Sequence, residues 1–248
     1  MSSWFSGAAE PAVANPLAEP LIESAPFALE ISHLACRGGP GESSCAPYHG
    51  FWQYLRLMGL GKTMSGMSAA FVHGIREVAQ ARAGDGHAAR VLISGCADYS
   101  AFAHVAYACR DLQPRPSVTA LDLCQTPLLL TRWYARRAGW AVDTVCSDVL
   151  HYRTERHYDL ILTSSFLGYF SPAERPKLFA DYANLLAPGG VLLFTNRLRA
   201  EPEDRAVGFS AEQADAFAER VAALSGRLPP EEQLPADLAR RFRCRCRR

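Results

Sequence analysis

Three short runs in this 248-residue chain place acids and small residues where apolar, strand-like segments end. Gly95-Cys96-Ala97-Asp98 follows RVLIS (90–94), Asp122-Leu123 follows SVTAL (117–121), and Cys146-Ser147-Asp148-Val149 follows AVDTV (141–145). Small residues after a strand let backbone N–H groups approach a ligand closely, and a helix opening there adds the positive end of its dipole. A carboxylate at the end of the next strand is placed to accept hydrogen bonds from both ribose hydroxyls of an adenosine. Asp148, at the third strand end, is placed to accept one from an adenine amino group. A different chemistry gathers earlier, in Tyr48-His49-Gly50-Phe51-Trp52-Gln53-Tyr54. Here His49 is a candidate general base, and Tyr48, Trp52 and Tyr54 offer aromatic faces to an apolar or cationic substrate. The same stretch has a competing reading as a packed helix, because Phe51, Tyr54, Leu55 and Met58 recur at steps of three and four.

The elements that must position these residues alternate from Arg90 onward. Apolar runs at 90–94, 117–121, 141–145, 158–163 (YDLILT) and 190–195 (GVLLFT) are strand-like. Between them, 99–112, 127–138 and 172–186 have helical patterning. Strand and helix in alternation predict a parallel sheet with helices on both faces. In such a sheet ligands bind beyond the carboxyl ends of the strands, where the three runs lie. Two helices, at about 48–60 and 64–83, are expected before the first strand, and another over 210–226. Residues 1–30, rich in Ala, Pro and Glu without a sustained period, read as an arm that is flexible unless it packs.

Taken in order, VLISGCADYS, VTALDL, CSDVL, YDLILTSSFLGYF and LLAPGGVLLFTN resemble the motifs of class I S-adenosylmethionine (SAM)-dependent methyltransferases over residues 88–196. The resemblance implies a Rossmann-like α/β fold, with SAM as cofactor and an N-terminal helical cap. It implies that Gly95, Cys96, Ala97 and Asp98 line the methionyl end, Asp122 and Leu123 hold the ribose, and Ser147, Asp148 and Val149 flank the adenine. Thr163 closes the cofactor side after the fourth strand. The following loop then faces the transferable methyl, with Ser164 and Ser165 orienting the acceptor and Phe166 and Tyr169 contacting it. The sequence departs from the family twice. Ile93 stands where the family has an acid two residues before its first glycine, with Asp98 as a substitute. Beyond the fifth strand, 197–248 reads as helix and basic tail where the family adds an antiparallel pair.

Composition limits the partners. Charged residues are 21% of the chain and the formal net charge is +1, so no global field draws it to nucleic acid or an anionic membrane. No apolar run reaches the ~18–20 residues of a membrane span, and the first residues lack a secretory signal, so a cytoplasmic location is expected. GLGKT at 59–63 lacks the upstream glycine of a phosphate-binding loop, for which Arg56 stands. The eight cysteines show no Cys-x-x-Cys and no zinc-ribbon spacing, so no metal site is expected. Cys36 and Cys45 as thiolates for a soft metalloid acceptor remain a minor alternative. The domain reading is an arm and loop (1–47), a helical cap (48–87), a SAM-binding Rossmann-like domain (88–226) and a C-terminal helix and basic tail (227–248). The expected function is methyl transfer from SAM to a small-molecule acceptor by a monomer or homodimer. The alternatives are a SAM-consuming cyclase resembling azetidine-2-carboxylate synthases, which release methylthioadenosine, and a SAM-binding protein without turnover.

Overall fold

The computed structural model describes residues 19–36, 44–60, 68–196 and 210–227. The described elements fall into two compact units. One contains α1 (Leu21–Ala35), α2 (Ala46–Leu57) and α7 (Ala211–Ser225); the other contains every strand and the remaining helices.

In the helical unit, α1 and α2 pack against each other. Gly50 makes this approach possible: a Cβ there would stand 2.6 Å from Ser32 Oγ and 3.1 Å from Leu29 Cδ1. Ala25, Phe51, Tyr54 and Val221 form the buried centre, with Leu29, Leu55 and Phe217 around it. α7 opens on a capping box, in which Ser210 Oγ accepts from Gln213 N at 3.2 Å and Gln213 Oε1 accepts from Ser210 N at 2.9 Å. The helix α1 lies where the sequence suggested an arm. Its buried face is Ser24, Ala25, Ala28 and Ser32, and Pro26 sits within it. Small side chains allow close helix approach but leave no bulky apolar period to read, and an interior proline argues against a helix.

The second unit is built on five parallel strands in the order β3-β2-β1-β4-β5. These are β1 (Arg90–Ser94), β2 (Ser117–Asp122), β3 (Asp143–Cys146), β4 (Tyr158–Ser164) and β5 (Leu186–Thr195). Helices α3 (Ser68–Gly84), α4 (Ser100–Ala108), α5 (Gln125–Arg137) and α6 (Arg175–Leu185) complete it. Val91, Leu92, Ile93 and Ser94 of β1 are all buried, as are residues 158–163 of β4. Since successive side chains point to opposite faces, such continuous burial requires cover on both sides. Leu92 and Ile161 face a cluster with Leu178, Tyr182 and Leu185 of α6.

The expected α/β architecture, with helices about a parallel sheet, is therefore present. α3, for which the sequence suggested a place in the cap, belongs to the sheet unit: the site of a Gly74 Cβ lies 3.1 Å from Leu193 of β5. Asp159 ties the amino edge together, accepting from Arg90 N at 2.7 Å and pairing with Arg82 of α3 at 3.3 Å. β5 begins earlier than the apolar run at 190–195, and Pro188-Gly189-Gly190 form an irregularity within it, since Tyr158 pairs with Leu186 but Leu160 with Val191. Among the described residues the sheet has five strands; 197–209 and the basic tail 228–248 lie outside them.

Candidate functional site at the carboxyl edge of the sheet

The strand order reverses between β1 and β4, with β2 on one side of β1 and β4 on the other. This is the switch point at which an open sheet leaves a crevice beyond its strand ends. Gly95 turns the chain out of β1 with φ +75°, and its N–H donates to Leu121 O at 2.9 Å. Only glycine adopts this conformation without strain. A Cβ at Gly95 would also lie 2.5 Å from the Phe166 ring, so that ring rests directly on the turn.

Asp122, at the end of β2, anchors the neighbouring loops. Its Oδ2 accepts from Cys96 N and its Oδ1 from Cys124 N, each at 2.7 Å. One carboxylate thus joins the turn after β1 to the start of α5. A carboxylate has about four acceptor positions, so these two bonds are compatible with further bonds from a diol. Beside it Leu123 is 74% exposed, a large apolar side chain turned to solvent. Such a surface is suited to the face of a ring.

The other sequence-named residues divide by their surroundings. Ala97 is half-buried in the turn. Cys96 is buried, and burial together with the charges of Asp122 and Asp98 pushes its thiol well above the ordinary range. It therefore stays protonated at neutral pH and packs as a small apolar group. Asp98 is 3% exposed, and its Oδ1 accepts from Ser100 N at 2.8 Å, which opens α4. Asp148 accepts from Leu150 N at 2.9 Å and meets His151 Nδ1 at 3.1 Å, closing the turn after β3. Val149 packs its side chain in the core with Leu92 and Leu121. Ser147 is half-buried, and its N–H donates to Asp122 O at 2.9 Å.

The loop after β4 carries backbone strain. Ser165 has φ +53°, the one positive value at a non-glycine among the described residues, and its side chain is exposed. Its N–H donates to Thr195 O at 2.8 Å, while Ser164 Oγ meets Thr195 Oγ1 at 2.9 Å. Ser164 thus couples β4 to β5, and Ser165 stands outward. Thr163 is buried. Its hydroxyl makes no hydrogen bond of good geometry, although it lies near enough to Tyr182 to influence that phenol. Burial pushes the Tyr182 hydroxyl up to about 12, and it donates to Ser94 Oγ at 2.9 Å. Phe166 packs edge-on to Phe170, with ring centres 4.9 Å apart, and Tyr169 is 70% exposed.

In the helical unit the aromatic stretch splits. Tyr54 is 3% exposed and belongs to the core with Phe51, so burial and not a substrate accounts for it. Tyr48 and Trp52 stack at 5.6 Å and are half-buried. His49 is buried, and its Nδ1 lies 3.2 Å from Cys36 Sγ. The sequence reading paired Cys36 with Cys45 but did not add His49; residues 37–43, between Cys36 and the other two, lie outside the described residues. A shallow recess lined by Arg115, Trp140 and Asp143 lies at the opposite, amino end of β2 and β3 and contains none of the candidate site residues.

Residues 91–190 match a family model described as a methyltransferase domain. No curated protein matches the chain. Among solved structures, the N-methyltransferase NodS of Bradyrhizobium japonicum, in complex with S-adenosylhomocysteine, is 20% identical over 50% of this chain and 58% of its own, with a TM-score of 0.37. A SAM-dependent methyltransferase of Clostridium acetobutylicum is 20% identical over 46% of each chain, with a TM-score of 0.38. An amino pentose methyltransferase of Micromonospora echinaspora, bound to SAM, is 22% identical over 62% and 58%, with a TM-score of 0.44. The chain thus spans about half the length of the first of these. Residues 91–190, whose motifs lie in order along a sheet of order 3-2-1-4-5, are thus similar to a methyltransferase domain.

Proposed function

We propose that this chain transfers a methyl group from SAM to a small-molecule acceptor. The observation that carries the reading is the Asp122 carboxylate, fixed by two backbone amides beside the Gly95 turn and the exposed Leu123. A nucleoside needs this set: an acceptor pair for the ribose diol, an apolar surface for the base and close backbone approach. The sulfonium of bound SAM supplies an electrophilic methyl group.

The residues of the chain do the rest. Asp122 and Leu123 hold the nucleoside. The Gly95 turn gives backbone access to the methionyl end, and Phe166, resting on that turn, excludes water from it. Because Asp98 is buried and bonded to α4, its part is to shape the turn. Ile93 is buried as well, so no acid stands in the usual place to pair with the ammonium. Ser165, exposed in a strained loop at the end of β4, orients the acceptor, and Ser164 positions that loop through Thr195. Tyr169 offers an exposed ring to an apolar acceptor. Tyr48 and Trp52 have the stacked aromatic surface that suits an apolar or cationic one.

The test is purified full chain with SAM and a panel of small amines, phenols and thiols, with nucleoside products separated by mass. Acceptor-dependent S-adenosylhomocysteine is expected. Methylthioadenosine formed with no acceptor present would overturn methyl transfer in favour of internal cyclisation.

A further inference from the structure

α1 ends at Ala35 and α2 begins at Ala46, so the hairpin of two helices brings the carboxyl end of one to the amino end of the other. Cys36 is the residue that ends α1, and Cys45 is the residue before α2. His49 follows Cys45 by four positions, one helical turn later on the same face, and its N–H donates to Cys45 O at 3.1 Å. The spacing is Cys-x8-Cys-x3-His, within one compact unit. Sγ of Cys36, Sγ of Cys45 and a ring nitrogen of His49 all lie within 4.8 Å of one another. Neither thiol is in a disulfide.

We propose that Cys36, Cys45 and His49 bind a divalent cation of the zinc class. Two thiolates and an imidazole are the donors this borderline-soft ion takes. The spacing agrees with its geometry. With Zn–S near 2.3 Å and Zn–N near 2.0–2.1 Å, a tetrahedral S···N edge is about 3.5 Å, and Cys36 Sγ lies 3.2 Å from His49 Nδ1. Nδ1 is therefore the ligating nitrogen. The ring is held for it by burial and by the edge of Tyr48, whose centre is 5.2 Å away. The close α1–α2 contact at Gly50 and Ser32, one residue beyond His49, fixes the distance between the two helix ends. The ion's fourth donor comes from outside these three. Binding releases the thiol protons and joins the end of α1 to the start of α2, so the ion stabilises the helical hairpin. The assignment is independent of the methyltransferase reading.

The probe is Co2+ added to the full chain in chelator-treated, reducing buffer, followed by Zn2+. The expected result is one Co2+ per chain, with the visible bands of a tetrahedral ion and thiolate-to-metal charge transfer in the near ultraviolet, all lost when Zn2+ displaces it. Cys36→Ser, Cys45→Ser and His49→Ala should each weaken binding at least about tenfold, whereas Cys146→Ser, at an exposed position, should not. Should a variant fail to fold, the wild-type protein decides by thiol footprinting. Zn2+ should then protect Cys36 and Cys45 from alkylation and leave Cys146 reactive. Octahedral Co2+ spectra, equal binding by the three variants, or no protection of Cys36 and Cys45 would each overturn the site.

Discussion

Replacing Asp122 by alanine removes two acceptors at once, one for Cys96 N–H and one for Cys124 N–H. Hydrogen bonds to a charged group contribute roughly 1.5–3 kcal/mol each, and partial exposure puts these at the lower end. Asp122→Ala should therefore lower the melting temperature by several degrees as well as weaken nucleoside binding, whereas Asp122→Asn keeps one oxygen and should lose about half as much. Thermal unfolding of the three proteins checks the ranking; an unchanged Tm in Asp122→Ala would show that the two amides gain nothing from the carboxylate. The thiols give a second prediction at this scale. Cys96 is pushed well up by burial and by neighbouring carboxylates, and Cys109 is pushed up to about 12 by burial. Since the thiolate is the reactive form, a mildly alkaline alkylating agent should modify exposed Cys146 first and reach Cys96 and Cys109 only after unfolding. Peptide mapping over time reads the order, and early labelling of Cys96 would contradict it.

Between elements, the Gly95 turn and the loop after β4 share one space. Gly95→Ala meets both a positive φ and the Phe166 ring. Adding Phe166→Ala should relieve the collision but not the strain, so the double variant should be more stable than the two single costs added together. A coupling of at least about 0.5 kcal/mol in a double-mutant cycle is expected; strict additivity would separate the two residues. At the other end of the sheet unit, Arg76 of α3 holds Asp111, beyond the end of α4, through bonds of 2.7 and 2.9 Å. This pairing lowers the Asp111 carboxyl from 3.8 to about 2. The folded pKa is depressed, so the contribution is present above the ordinary value and is lost as pH falls towards about 2. The Tm difference between wild type and Arg76→Gln should be present at neutral pH and vanish in that window.

The strands were legible because each is a short apolar run, and the first three close on glycine or an acid within three residues. Asp122 was legible as a strand-end carboxylate, but its two amide partners were not, since they come from loops 26 and two residues away. The helix α1 was hidden by its small-residue face and Pro26. The grouping of Cys36 with Cys45 and His49 depends on how two helices pair, which no local spacing states.

For the whole molecule, two compact units have separate predicted ligands: a nucleoside on the sheet unit and a cation on the helical hairpin. A ligand that binds only the native state at 100 times its Kd stabilises it by about 2.7 kcal/mol. The most direct measurement of the central claim is calorimetric titration of the full chain with S-adenosylhomocysteine, in parallel for wild type, Asp122→Asn and Asp122→Ala. The predicted result is one site per chain, with affinity falling in that order and at least about tenfold for alanine in protein shown to be folded. No heat of binding with the wild type, or equal affinity in folded Asp122→Ala, would contradict the assignment of a nucleoside to the carboxyl edge of this sheet.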